Sequence, residues 1–237
     1  MEELRSLNAD LQVVVAFRML PEVVWDMPSM GTINVHGSLL PQYRGAAPIN
    51  WTIINGEKET GVTTFKLKHE IDTGDILLQE KISIGENETA GELHDKLKEL
   101  GANVLVKTIK GLADDTLRET AQSEVLNSNS EIAKHAPKIF TETCKIDWSK
   151  SVDEVHNLIR GLSPFPGAFT HLNEKLLKIY RSEKEYKQPS IPQGQFETDG
   201  KTILKFACRN GFILVKELQM EGKKRMNVGD FLRGHKL

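Results

Sequence analysis

The sequence predicts an α/β chain, with a partial doubly wound, Rossmann-like sheet in its first half and a small β-barrel in its second. Three observations carry this. Short apolar strand patterns alternate with helical ones through the first 114 residues. A run with Leu93, Leu97, Leu100, Val104 and Leu112 at helical spacing closes that alternation. Beyond residue 144, several short strand patterns lie between Gly-, Asn-, Asp- and Pro-rich turns. The polar stretch 115–143 is expected to be a linker, which sets two domains at 1–114 and 144–237.

Each element follows from its residues. Residues 1–8 read as the end of a helix, and Leu11 to Phe17, with its Val13-Val14-Val15 run, as a strand covered on both faces. Pro21 suits the first turn of a helix through Met27. Gly31 to His36 reads as a strand. Gly37, Pro41 and Gly45 then break the chain into a loop, until Pro48 opens a helix through Ile54. Strands are expected at 61–68 and 76–84, and Thr89 with Glu92 forms a capping box ahead of the long helix. In the second half, Ser151 and Glu154 form another capping box. Val155, Leu158, Ile159 and Leu162 supply an apolar stripe, and Pro164-Phe165-Pro166-Gly167 ends the helix. Strands are then expected at 168–172, 175–181, 202–207 and 212–219.

Composition removes several classes. Hydrophobic residues at 39% and charged residues at 27% are those of a soluble globular protein, expected in the cytoplasm because no signal peptide is read and its two thiols suit a reducing compartment. No run of about 18 apolar residues exists, so no membrane span is expected. Met1-Glu2-Glu3-Leu4 lacks the basic and apolar regions of a signal peptide. Cys144 and Cys208 fit neither a metal site nor a disulfide framework and read as inert thiols. The net charge of −2 hides a split: residues 144–237 carry 17 Lys/Arg against 11 Asp/Glu, and residues 1–143 carry 14 against 22. A basic C-terminal part can meet phosphates, although Lys-rich faces are as a rule solvated surface.

The functional signal lies at the end of the 31–36 strand. Asn34 and His36 are two apart, so their side chains leave one face. An amide and an imidazole side by side suit a carbonyl that gains negative charge under nucleophilic attack. Asp72 follows the next strand, and a neighbouring strand ending nearby would bring its carboxylate within reach of the ring. Pattern alone leaves other readings open. A single histidine near a strand end is more often structural, and Asp-Thr-Gly is most often turn chemistry.

The run Asn34-Val35-His36-Gly37-Ser38-Leu39-Leu40-Pro41, then Tyr43-Arg44-Gly45-Ala46-Ala47-Pro48-Ile49, resembles the signature of the formyltetrahydrofolate-dependent formyltransferases. Glu59-Thr60-Gly61-Val62-Thr63 and Asp72-Thr73-Gly74-Asp75-Ile76-Leu77 resemble its continuation. Arg44-Gly45-Ala46-Ala47-Pro48-Ile49 and the long C-terminal part resemble the branch whose acceptor is initiator methionyl-tRNA. The resemblance covers nearly the whole chain. It implies that the barrel is OB-like and that several strands and helices would precede Met1, giving the expectation of an N-terminally truncated form with lowered stability and activity.

The resemblance also implies a direct acyl transfer from 10-formyltetrahydrofolate, with no metal and with the protein acting as a monomer. Asn34 and His36 would donate to the oxyanion, His36 would move the proton, and Asp72 would orient the imidazole. Ser38, Leu39, Leu40 and Pro41 would wall the folate pocket. Arg44, Lys178, Arg181, Lys223, Lys224 and Arg225 are candidates for tRNA phosphates. Rival readings are a formyltransferase for a small amine (a purine-pathway ribonucleotide or an amino-sugar nucleotide), a formyltetrahydrofolate hydrolase, and a catalytically dead tRNA-binding remnant.

Overall fold

The computed structural model describes residues 1–15, 19–129 and 132–235, so the end of the expected 11–17 strand lies outside the described residues. α1 (Glu2–Ser6) leads into β1 (Gln12–Val15), α2 (Glu22–Trp25) and β2 (Thr32–His36). The short β3 (Arg44–Gly45) precedes α3 (Pro48–Ile54). Then β4 (Glu59–Lys66) and β5 (Ile76–Ser83) run up to the long α4 (Ala90–Ala113). Within the polar stretch 115–143, α5 (Gln122–Asn129), β6 (His135–Ala136) and α6 (Thr141–Cys144) form. The remainder is α7 (Val152–Gly161), β7 (Ala168–Leu172), β8 (Lys175–Glu185), β9 (Phe196–Thr198), β10 (Leu204–Cys208), β11 (Gly211–Met220), β12 (Met226–Asn227) and α8 (Val228–Gly234). Among the described residues no helix is long and apolar enough to cross a membrane.

The chain divides into two compact units. The first is Met1–Ile49, Glu59–Ser83 and His94–Lys138; the second is Asn50–Lys58, Ile84–Leu93 and Ile139–Leu237. The first unit therefore keeps most of the polar stretch that sequence reading treats as a linker. It does so by hydrogen bonds and by a few apolar contacts, such as Val125 against the Leu40, Phe65 and Ile76 cluster, and these leave no periodic pattern to read.

The sheet of the first unit has the order β1-β2-β4-β5. β1 and β2 are parallel, while β2/β4 and β4/β5 are antiparallel. Asn34 lies opposite Phe65 and His36 opposite Thr63, so these four side chains share one face. Val35, Val62 and Thr64 take the other face, under α4. Gly101 lies against Val35 and Val62, and the hydroxyls of Thr64 and Thr108 are 2.7 Å apart. One face is thus spent on the helix, which frees the other for the loop after His36. Gly74 must be a glycine, because a Cβ there would strike the Lys66 carbonyl.

The second unit holds an antiparallel sheet ordered β7-β8-β11-β10-β9, with β12 also paired to β11, curled into a half-barrel. Its core joins Val155, Ile159 and Leu162 of the expected apolar stripe to Phe206, Ile213, Leu218 and Phe231. Each such side chain contributes about 1.5–3 kcal/mol by leaving water. Ser151 caps α7 reciprocally: its amide donates to Glu154 at 2.9 Å and its hydroxyl accepts from the Glu154 amide at 3.3 Å.

α7 also buries a titratable ring. His156 is 2% exposed, with Nδ1 2.9 Å from the Ser182 hydroxyl. Burial, joined by the charges of Arg160 and Lys184, pushes the imidazole from its usual 6.5 down to about 4. The folded state therefore favours the neutral ring, and the unfolded chain takes up the proton first as pH falls. This stability is complete above about pH 6.5 and is lost progressively towards about pH 4, a shift worth about 3 kcal/mol. Urea unfolding across that window should show the loss, and His156→Gln should remove most of it. An unchanged pH slope in His156→Gln would assign the dependence to other groups.

Candidate active site

His36 is held from both sides. Nε2 donates to the Tyr43 carbonyl at 2.9 Å, which places a proton on Nε2 and leaves Nδ1 facing Asp72, whose Oδ2 is 3.9 Å away. Tyr43 has a φ of +60°, and its own amide donates to the Lys134 carbonyl at 2.7 Å. The residue whose carbonyl fixes the ring is thus tied in turn, through its own amide, to the polar stretch. Phe65 meets the imidazole edge-on, with ring centroids 6.4 Å apart.

Asp72 arrives by a different route from the one its position in sequence suggests. Because β4 runs antiparallel to β2, it ends at Lys66 beside Ile33, away from His36. The 67–75 loop carries the carboxylate back. Asp72 sits in the left-handed region at φ +56°, and its Oδ2 accepts from the Gly45 amide at 2.9 Å. Gln122 secures that turn: Nε2 donates to the carbonyls of Asp72 at 2.9 Å and Gly74 at 2.8 Å. Its Oε1 accepts from Arg44 Nε at 2.9 Å and Nη2 at 2.6 Å.

Asn34 has no side-chain hydrogen bond among the described residues, and its Oδ1 is fully buried. A buried amide oxygen without a partner is costly and rare in a finished fold. Here Asn34 sits on the same sheet face as His36.

The loop residues expected to wall the pocket are largely turned inward. Ser38 and Leu40 are 0% and 1% exposed, Pro41 is also buried, and Leu39 is half-buried. Leu40 packs with Phe65 and Ile76. The Ser38 hydroxyl donates to the Gln42 carbonyl at 2.6 Å. Thr63 and Gln79, opposite each other on β4 and β5, stitch the loop down. Thr63 Oγ1 donates to the Ser38 carbonyl at 2.7 Å and accepts from the Leu40 amide at 3.0 Å, and Gln79 donates to the Leu40 carbonyl at 2.8 Å.

Of the cations expected to meet phosphate, most already have partners. Arg44 is held by Gln122. In the second unit, Lys178 donates to the Pro166 carbonyl at 2.9 Å, and Arg181 pairs with Glu92 at 2.5 Å. That pairing, more than anything else, drops the Glu92 carboxyl to about 2. Arg225 is bidentate to Glu217, both distances 2.6 Å, and lies over the Tyr180 ring. Lys223 and Lys224 are exposed in the β11–β12 turn, with no side-chain partner among the described residues.

Sequence reading missed Gln122, Thr63, Gln79 and the Tyr43 carbonyl. Thr63 and Gln79 were within reach of period-2 reasoning, since both share the His36 face. Gln122 carries no local signal, and its partners lie about 50 or more residues away. Among the described residues no group of three or more His, Cys, Asp or Glu is placed to hold a metal ion.

Comparison with known proteins gives a consistent result. The family model described as "Formyl transferase" matches residues 1–109, and "Formyl transferase, C-terminal domain" matches residues 138–236. The methionyl-tRNA formyltransferase of Azobacteroides pseudotrichonymphae is 53% identical over 241 residues, covering 99% of this chain and 74% of that protein. That of Phocaeicola vulgatus is 51% identical over 234 residues, covering 97% and 72%. Among solved structures, HypX from Aquifex aeolicus in complex with tetrahydrofolic acid has a TM-score of 0.71 at 18% identity, over 98% of this chain and 41% of that one. An N-formyltransferase from Helicobacter canadensis, in complex with folinic acid and dTDP-3-aminofucose, has a TM-score of 0.65 at 24% identity, over 86% and 71%. These two likenesses speak for the fold. Matched in both parts and about half identical to such relatives, the chain belongs to the formyltransferase family, among the methionyl-tRNA formyltransferases.

Proposed function

We infer that the chain transfers the formyl group of 10-formyltetrahydrofolate to the amino group of initiator methionyl-tRNA. The single observation that carries this beyond kinship is the half-buried Asn34 side chain, without a hydrogen-bond partner among the described residues, on the same face as His36 and within a site that also holds Asp72. Family membership supplies the substrates; the site supplies the means.

The α-amino nitrogen of the methionyl group attacks the formyl carbon, forming a C–N bond while the carbonyl electron pair moves to oxygen. Asn34 donates an N–H to that oxyanion. His36 works through Nδ1, because Nε2 is occupied by Tyr43. It takes the proton shed by the amine and passes it to N10 of the folate as the old C–N bond breaks. Asp72, already oriented by the Gly45 amide, stabilises the imidazolium in between. Its 3.9 Å distance from Nδ1 is too long for a direct hydrogen bond and leaves a small group beside both able to touch each.

In this reading Ser38, Leu40 and Pro41 serve the folate by holding the loop's shape, and Leu39 with the main chain of 38–41 forms the wall itself. The protein works as a monomer in the cytoplasm. Lys223 and Lys224 make the phosphate contacts, whereas Lys178, Arg181 and Arg225 shape the second unit through their own partners.

Transfer of labelled formyl groups to aminoacylated initiator tRNA tests the activity. Equal or better transfer to a small amino-sugar nucleotide, or release of free formate at the same rate, would refute it. Replacing Lys223 and Lys224 together by Ala should weaken tRNA binding and reduce the salt slope of log K by about 2, while leaving folate binding alone. An unchanged slope would place the phosphate contacts elsewhere.

A further inference from the structure

We infer that Gln122 is a positioning residue for the transfer reaction, acting through Asp72; this rests on the reading of Asp72 given above. Gln122 is 3% exposed and uses both ends of its amide. Nε2 holds the carbonyls on either side of Thr73, at 2.9 and 2.8 Å, and Oε1 takes two bonds from Arg44. The turn is held only in part from within, by the Thr73 hydroxyl donating to the Glu70 carbonyl at 3.0 Å. Asp72 is in the left-handed region, uncommon for a non-glycine residue though Asp adopts it more readily than most. Gly74 lies so close to β4 that no Cβ would fit. The same turn sets the distance between the Asp72 carboxylate and His36.

The amide is chemically specific to this task. Two carbonyls require a donor and one guanidinium requires an acceptor, and a carboxamide offers two N–H donors and an acceptor oxygen from one planar group. A glutamate in its place keeps the bonds from Arg44 but turns an oxygen towards the two carbonyls. The turn is then released while the Arg44 contact survives. A misplacement of about 1 Å in a catalytic group can cost up to about 10²-fold in rate, so positioning can be read in turnover.

A side chain that merely holds the fold would show the same substitution as lost stability, with activity per folded molecule intact. The test is a double-mutant cycle on the full protein. Gln122→Glu should lower kcat by about 10- to 100-fold with KM for folate and for tRNA within about twofold. In an Asp72→Asn background the same change should add no more than about twofold, because its route of action is already lost. Gln122→Met, which keeps bulk without charge, should behave like Gln122→Glu, and thermal unfolding of each variant reports folding separately. Losses that multiply across the two sites, or a Gln122→Glu enzyme with normal kcat, would overturn the inference. If Asp72→Asn by itself leaves kcat unchanged, the assignment of Asp72 in the reaction falls, and the role of Gln122 falls with it. Multiplying losses beside a damaging Asp72→Asn would sink the role of Gln122 alone.

Discussion

His36→Ala is expected to reduce turnover by about 10²–10⁴-fold, the range for losing one positioned acid/base group. The ring's two nitrogens divide the work: Nε2 is anchored to the Tyr43 carbonyl, and Nδ1 faces Asp72 and the open side. Deleting the ring removes the proton carrier and leaves that carbonyl without its donor. His36→Gln separates the two effects, since its amide can keep the bond to Tyr43 but cannot carry a proton near neutral pH. Single-turnover transfer measured at saturating folate should find both variants severely slowed, with His36→Gln the better folded of the pair. Transfer by His36→Gln within about tenfold of the parent would reduce His36 to a structural role.

Asn34→Ala is expected to cost about 10²–10³-fold in kcat, the usual consequence of losing one oxyanion donor. Its effect on folding should run the other way. The amide makes no side-chain hydrogen bond among the described residues, and its Oδ1 is buried. Trimming it therefore removes an unsatisfied polar group rather than a bond. The thermal midpoint should stay level or rise while activity collapses. Asn34→Asp makes a second check, because it preserves size but offers no N–H to an oxyanion. A large fall in thermal midpoint for Asn34→Ala, with kcat preserved, would make the residue part of the scaffold.

Much of the fold was legible because it rests on periodicity. The strand at 32–36, β4, β5, the capped α7 and β7, β8, β10 and β11 announce themselves by alternation, caps or turn residues, whereas β9 and β12 do not, and β1, expected to be covered on both faces, leaves Val13 and Val15 exposed. What escaped was decided by tertiary hydrogen bonding. Leu40 reads equally well as a pocket wall or as core, and only its contact with Phe65 and Ile76 shows the second use. The reach of Asp72 to His36 depends on a loop doubling back over an antiparallel strand, which no local pattern encodes. Positive charge is visible in sequence, but its availability is not. Arg181, Arg225 and Lys178 looked as free as Lys223 and Lys224 until their partners were in view.

The polar stretch after α4 has a practical consequence for recombining this protein with its relatives. Thr120 bonds to Ile76, Lys134 and Ala136 accept from Tyr43 and Ala47, and β6 pairs with β3. A chimera spliced near residue 115 would therefore bring in foreign versions of the groups that grip the signature loop, and its defects would be misattributed to the imported half. Splicing after Lys138 keeps that grip native, so any change in acceptor preference can be credited to the segment exchanged.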